Sequence, residues 1–157
     1  MKAVLLCIGA TDERWLTDGI ALYSRRLQHY IPFEIITKAE DKGWRKLDPT
    51  ARKKAEGQVI LAALQPGDWA VLLDEKGSSY TSDSFAERLE KLMAAGPRRI
   101  VWIVGGAYGF SDDVYQAIPD RTTLSNMTFS HQMVRLFFVE QLYRACTILR
   151  NEPYHNR

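Results

Sequence analysis

Apolar runs alternating with stretches of helical spacing restrict this chain's fold more than any other feature. The runs at residues 4–8, 33–36, 69–73 and 100–104 read as strands, with a weaker fifth at 122–124. Strand-like runs with helical patterns between them specify an α/β fold with a mostly parallel sheet. The first helix is marked by Leu16, Ile20, Tyr23, Leu27 and Tyr30, with Asp12 and Glu13 at its positive amino end. A second begins after Thr50 as N-cap, runs through Val59, Ile60, Ala63 and Leu64, and stops at Gln65-Pro66-Gly67. A third follows Thr81 or Ser82, buries Phe85, Leu89, Leu92 and Met93, and ends at Gly96-Pro97. No internal repeat interrupts the alternation.

With 157 residues, 46% of them apolar, residues 1–157 are expected to form a single domain whose core needs neither disulfides nor metal. Cys7 and Cys146 lie inside apolar segments, as reduced core thiols do, and no Cys/His/carboxylate spacing suggests a metal site. The opening apolar run is too short for a signal peptide, and no apolar stretch approaches about 18 residues, so a soluble cytoplasmic protein is expected, with no membrane contact. Net charge is only +2, yet residues 38–54 hold seven basic residues (Lys38, Lys42, Arg45, Lys46, Arg52, Lys53, Lys54) against Glu40, Asp41 and Asp48. Positive charge is thus focused on a long connection that also carries Trp44. Such a stretch is either a solvated loop and helix start or, since basic side chains around an aromatic ring suit phosphate contacts and base stacking, an RNA contact with Lys53 and Lys54 as candidates.

Ligands of open α/β sheets sit outside the carboxyl ends of strands, which singles out the loops at 74–77 and 105–109. In the second, Gly105 and Gly106 are followed by Gly109, and glycine permits positive φ and close approach to a ligand. The spacing is not the dinucleotide fingerprint, and Ser125 stands where that fingerprint would need an acid. A nicotinamide cofactor is therefore not expected.

The last helix, "HQMVRLFFVEQLYRACTIL", places Glu140, Gln141, Arg144 and Thr147 on a polar arc. Opposite lies a wide apolar arc of Val134, Phe138, Val139, Leu142, Tyr143, Ala145, Cys146 and Leu149, more than one side of a small sheet requires. Contact with both the core and a second subunit, a homodimer, is the economical expectation. Arg135 falls within that arc, with His131 one turn earlier. The arginine is either a structural ion pair or a cation held near a ligand's anionic group; the histidine suits a cap or a satisfied core role. Pro153 is expected to stop the helix, and Tyr154, His155 and Arg157 then supply a ring, an imidazole and a phosphate binder.

"LLCIG", "LLDEKG", "IVGGAYGF", "LSNMTFSHQMVRLFFVEQLYRA" and the ending "EPYHNR" together resemble the small SPOUT methyltransferases of the methyltransferase H family, which methylate N3 of a pseudouridine in large-subunit (23S) ribosomal RNA. The resemblance spans essentially the whole chain. It implies a deep trefoil knot in the carboxyl-terminal half, which ordinary topology rules would not supply, a homodimer, and S-adenosylmethionine as cofactor. It also implies that backbone groups near Leu73, Gly105 and Gly106 and along Leu124, Ser125, Asn126, Met127, Thr128 and Phe129 hold the cofactor, with Leu73, Leu124 and Met127 walling the adenine. The tail of one subunit would reach the other's site, making Tyr154 and His155, with Arg135, the catalytic candidates. Arg157 and His131 join Lys53 and Lys54 as residues facing ribosomal RNA or the assembled ribosome. The sequence departs from the pattern at Asn156, which separates His155 from Arg157. Two rivals stand beside this expectation: a SPOUT methyltransferase acting on another RNA position, and a non-catalytic ribosome-binding factor.

Overall fold

The computed structural model describes residues 1–156; Arg157, an RNA-binding candidate, lies outside the described residues. In chain order the elements are β1 (Lys2–Ile8), α1 (Arg14–Leu27), β2 (Phe33–Lys38), α2 (Pro49–Ala63), β3 (Asp68–Ser79), α3 (Ser82–Ala94), β4 (Arg99–Val104), α4 (Asp112–Ala117), β5 (Arg121–Thr123) and α5 (Met133–Leu149). The described strands pair in the order β2-β1-β4-β3-β5, and every pairing is parallel. Successive side chains of the central strands point to opposite faces. Ala3, Leu5, Cys7, Ile100, Trp102 and Val104 face α1, α3 and α5, whereas Val4, Leu6, Ile8, Val101 and Ile103 face α2 and α4. Both faces are covered, which is why these strands read as unbroken apolar runs. Cys7 and Cys146 are buried free thiols, and burial pushes them up to about 11 and about 12 respectively.

Local chemistry moves several boundaries. Asp48, not Thr50, caps α2: its carboxylate accepts from the Ala51 N–H at 2.9 Å and Pro49 occupies the first turn, where its missing N–H does no harm. Thr81 caps α3 through a reciprocal box with Ser84. Residues 74–77, expected as a loop, are instead an irregular continuation of β3, which re-pairs with β5 at Ser78 after a register shift. Helix α4 is too short to leave a periodic signal, and a 3-10 turn at Lys42–Lys46 shapes the basic connection. Trp44 within that turn packs against the α2 side of the core.

Helix α5 lies in the groove between α1 and α3. Thr147, expected on its polar arc, is fully buried and satisfies its hydroxyl internally by donating to the Arg144 carbonyl at 2.7 Å. Pro153 does not end the helix. The chain turns earlier, at Asn151 with φ 54°, where the Asn151 and Glu152 N–H groups return to the Ile148 and Thr147 carbonyls, both at 3.0 Å.

Candidate functional site

The carboxyl ends of β3, β4 and β5 open into one cleft of about 390 Å³, the size and place at which parallel sheets take small ligands. Leu73, Val104 and Thr123 form its floor. Its walls come from the segments that follow each strand. Of the expected cofactor residues, Leu73, Gly105, Gly106, Leu124, Ser125, Met127, Thr128 and Phe129 line the cleft, and Asn126 is the one that does not. Met127 stands at the rim, 77% exposed. His131 and Lys53 also line the cleft, while Lys54 lies beyond it on the exposed side of α2.

The glycines divide their work. Gly109 has φ 82° and donates its N–H to the Gly106 carbonyl at 3.1 Å, closing a tight turn. Gly105 and Gly106 serve close approach. A Cβ on Gly105 would meet the Phe110 ring at 3.2 Å, and one on Gly106 would collide with the Glu56 carboxylate. The segment after β5 is shaped by its own hydroxyls: Thr123 donates to the Ser125 carbonyl at 2.7 Å, and Ser125 Oγ accepts from the Met127 N–H at 2.9 Å. Thr128 donates to Glu75 at 3.1 Å, tying this segment to the end of β3 across the cleft.

Acidic and basic groups share the lining: Asp74, Glu75 and Asp112 beside Lys53 and Lys76. Tyr115 donates to Asp74 Oδ2 at 2.5 Å beneath the Arg121 guanidinium, 4.3 Å from its ring. Burial, reinforced by the bond to Asp74, pushes the Tyr115 phenol well above its ordinary range, so it acts as a donor. Among the described residues no group of three or more His, Cys, Asp or Glu side chains could hold a metal ion, and no helix is long and apolar enough to cross a membrane.

Arg135 lies outside the lining. It is 2% exposed and meets no carboxylate among the described residues; it donates to the Ile8 and Gly9 carbonyls at 2.9 Å each, to Thr11 Oγ1 at 3.0 Å and to the His131 carbonyl at 3.2 Å. The guanidinium thus clamps the start of α5 to the end of β1, with neutral acceptors answering the charge.

As far as residue 155 the tail is tied back onto α1 and α5. After Asn151 it runs back along α5, with the Tyr30 hydroxyl bonded to Glu152 and the Tyr154 hydroxyl donating to Glu140 at 2.8 Å. Arg144 reaches Glu140 at 2.6 Å, sits 4.7 Å from the Tyr154 ring, and lies 3.2 Å from His155 Nδ1. Arginine can only donate, so His155 Nδ1 accepts and the ring proton resides on Nε2, which faces Asp83 at 3.9 Å. Burial and hydrogen bonds to Tyr23 and Glu140 push the Tyr154 phenol far up, keeping it protonated. Neither tail residue lines the cleft of its own chain. Sequence reasoning singled out Asp74 only as part of the loop at 74–77 and missed Glu56 and Tyr115; the only signal for Glu56 was Gly57, a glycine in mid-helix.

The family described as "Predicted SPOUT methyltransferase" matches residues 1–155. "Ribosomal RNA large subunit methyltransferase H" of Parabacteroides distasonis is 53% identical over 156 residues, covering 99% of each chain. Proteins of the same name from Christiangramia forsetii and Porphyromonas gingivalis are each 51% identical, covering 100% and 99% of both chains respectively.

Proposed function

Because this chain belongs to the SPOUT methyltransferase family, we propose that it methylates large-subunit ribosomal RNA, at N3 of a pseudouridine, with S-adenosylmethionine bound in the cleft at the ends of β3, β4 and β5. The observation that carries this reading is convergence: the glycine loop and residues 124–129, far apart in sequence, meet in one cleft whose lining includes Leu73 and a basic helix residue, Lys53. The residues fit the group. Leu73 and Leu124 offer apolar walls, close-packed Gly105 and Gly106 expose main chain, and Asp74, Glu75 and Asp112 suit a cationic donor. When bound, S-adenosylmethionine supplies an electrophilic methyl group, so the protein needs no nucleophile of its own. What its residues must do is orient the base at the methyl group, the N3 proton passing to solvent at the open mouth of the cleft.

A homodimer is supported by apolar residues left exposed where α1 and α5 begin: Trp15, Phe137, and Phe129 stacked on Phe137 at 4.8 Å. A knotted carboxyl half is part of this reading on the strength of the family likeness. In the dimer the tail of one subunit completes the partner's site. Tyr154, its one hydroxyl proton given to Glu140, then offers a ring for stacking on the base, and His155 presents Nε2–H while Arg144 holds its ring in place. Arg135 positions the start of α5 and with it His131. Lys53, Lys54 and Arg157 bind RNA phosphates, and the protein acts in the cytoplasm on ribosomal RNA or the ribosome.

Incubating the protein with labelled S-adenosylmethionine and, in parallel, naked ribosomal RNA, large subunits and whole ribosomes, then mass-mapping modified nucleosides, tests this function. A single N3-methylated pseudouridine is expected. A methyl group on another nucleoside selects a different SPOUT specificity, and cofactor binding by calorimetry without transfer to any substrate selects a non-catalytic ribosome-binding role.

A further inference from the structure

Glu56 is a buried charge that the cleft itself leaves unexplained. It sits in the middle of α2, 1% exposed, with Oε1 accepting from Arg52 Nε at 3.0 Å and Oε2 without a hydrogen-bond partner among the described residues. Both oxygens press on Gly106: a Cβ there would meet Oε1 at 2.7 Å and Oε2 closer still. The next residue, Gly57, packs on the far end of the same loop, where its Cβ would meet Ser111 Oγ at 2.6 Å and Val114 at 2.9 Å. Two consecutive helix residues therefore seat both ends of the segment 105–111.

Neither choice serves the helix. Glycine in mid-helix is unfavourable, and a desolvated carboxylate with an unsatisfied oxygen costs more than an apolar side chain of the same volume. Arg52 extends the seat outward. It also reaches Glu40 Oε1 at 3.5 Å and lies 5.6 Å from the Tyr108 ring, and Glu40 in turn packs on Gly9 at the end of β1. Its hydrogen bond to Glu56 raises the arginine pKa further, fixing the charge.

We propose that Glu56, held by Arg52, is the positioning residue of the glycine loop, setting the backbone shape of 105–106 against which the methyl donor binds. The inference rests on S-adenosylmethionine occupying the cleft. It makes α2 a two-sided element: its inner side shapes the cofactor loop, while Lys53, next to Arg52, lines the cleft.

Calorimetric titration of S-adenosylmethionine into the parent, Gly106→Ala, Glu56→Asp and the double variant tests it, alongside KM for donor and for RNA. Gly106→Ala should weaken donor binding at least tenfold. Asp is one methylene shorter and vacates the space of the added methyl, so the double variant should bind within about threefold of Glu56→Asp alone. KM for the donor should follow these changes and KM for RNA should not. Should Glu56→Asp fail to fold, Arg52→Lys replaces it, since an ammonium cannot hold Glu40 and Glu56 in the same fork and so frees Glu56 to move. A parent that binds no donor overturns the cofactor reading and this inference with it. Losses that simply multiply, a harmless Gly106→Ala, or an equal rise in both KM values overturn the inference alone.

Discussion

The two faces of the sheet are built differently. On one, α1, α3 and α5 bury an extended apolar cluster centred on Trp102 and Phe138, whose rings lie 5.1 Å apart. On the other, α2 and α4 bury a smaller cluster around Ile60, Val114 and Phe110. The smaller face spends part of its contact on Glu56, Gly57 and Ser111 rather than on hydrocarbon. Each large apolar side chain buried contributes roughly 1.5–3 kcal/mol, so the larger cluster supplies more of the hydrophobic stabilisation, while the smaller one also seats the glycine loop. The tail crosses this division: it carries candidate chemistry yet is anchored on the thick layer.

Removing residues 154–157 is the most severe way to break the comparison. Methyl transfer should be abolished while the dimer, its thermal midpoint and most donor affinity survive, by chromatography, calorimetric melting and titration. A purified heterodimer of one tail-deleted and one Gly105→Val subunit should recover up to about half of parental activity, because one intact composite site survives only if the tail acts in trans. Heterodimers as inactive as either homodimer would confine the tail to its own layer.

Next in size is Phe138→Ala, which should cost about 3–5 kcal/mol in urea unfolding. Ile60→Val on the thin face should cost only about 0.5–1.5 kcal/mol. If Phe138→Ala also weakens donor binding per folded molecule, the two layers are not independent. Gly105→Val should reverse the pattern: the added side chain meets Phe110 and the Gly109 carbonyl, so donor affinity should fall at least tenfold, about 1.4 kcal/mol, with the fold intact by circular dichroism. Unchanged affinity in a folded variant would remove the loop from the site.

The mildest test concerns the outer side of α2. Lys53 lines the cleft, so charge reversal there would disturb donor and RNA together, whereas Lys54 is exposed. Lys54→Glu should lower the salt slope of RNA binding by about 1 while leaving donor binding untouched. An unaltered slope would make this side of the thin face a solvated surface.

The strands were legible because both sheet faces are covered, and Val4, Leu6, Val101 and Ile103 had no reason to be polar. The glycine loop was legible for a related reason: Gly105 and Gly106 follow the strongest run, and a Cβ on Gly105 would crowd Phe110 while one on Gly106 would meet the Glu56 carboxylate. Thr147 misled because a helical wheel treats a hydroxyl as exposed, and here it bonds within its own helix. Arg135 was legible as buried but not in its partners, since carbonyls of Ile8 and Gly9 leave no trace in side-chain chemistry. Trp44, weighed as a stacking ring, is half-buried within the 3-10 turn and packs one side against the core.

By itself the sequence determined the α/β class, the reduced cysteines, the glycine loop and the family, all of which depend on local pattern or on long matching blocks. Only the tertiary structure decided which separated segments share a cleft, that Glu56 lies under Gly106, and that the tail doubles back to set the tautomer of His155. Those relations join residues tens of positions apart through backbone atoms and packed volume. Neither is written in residue type, so no spacing rule along the chain could disclose them.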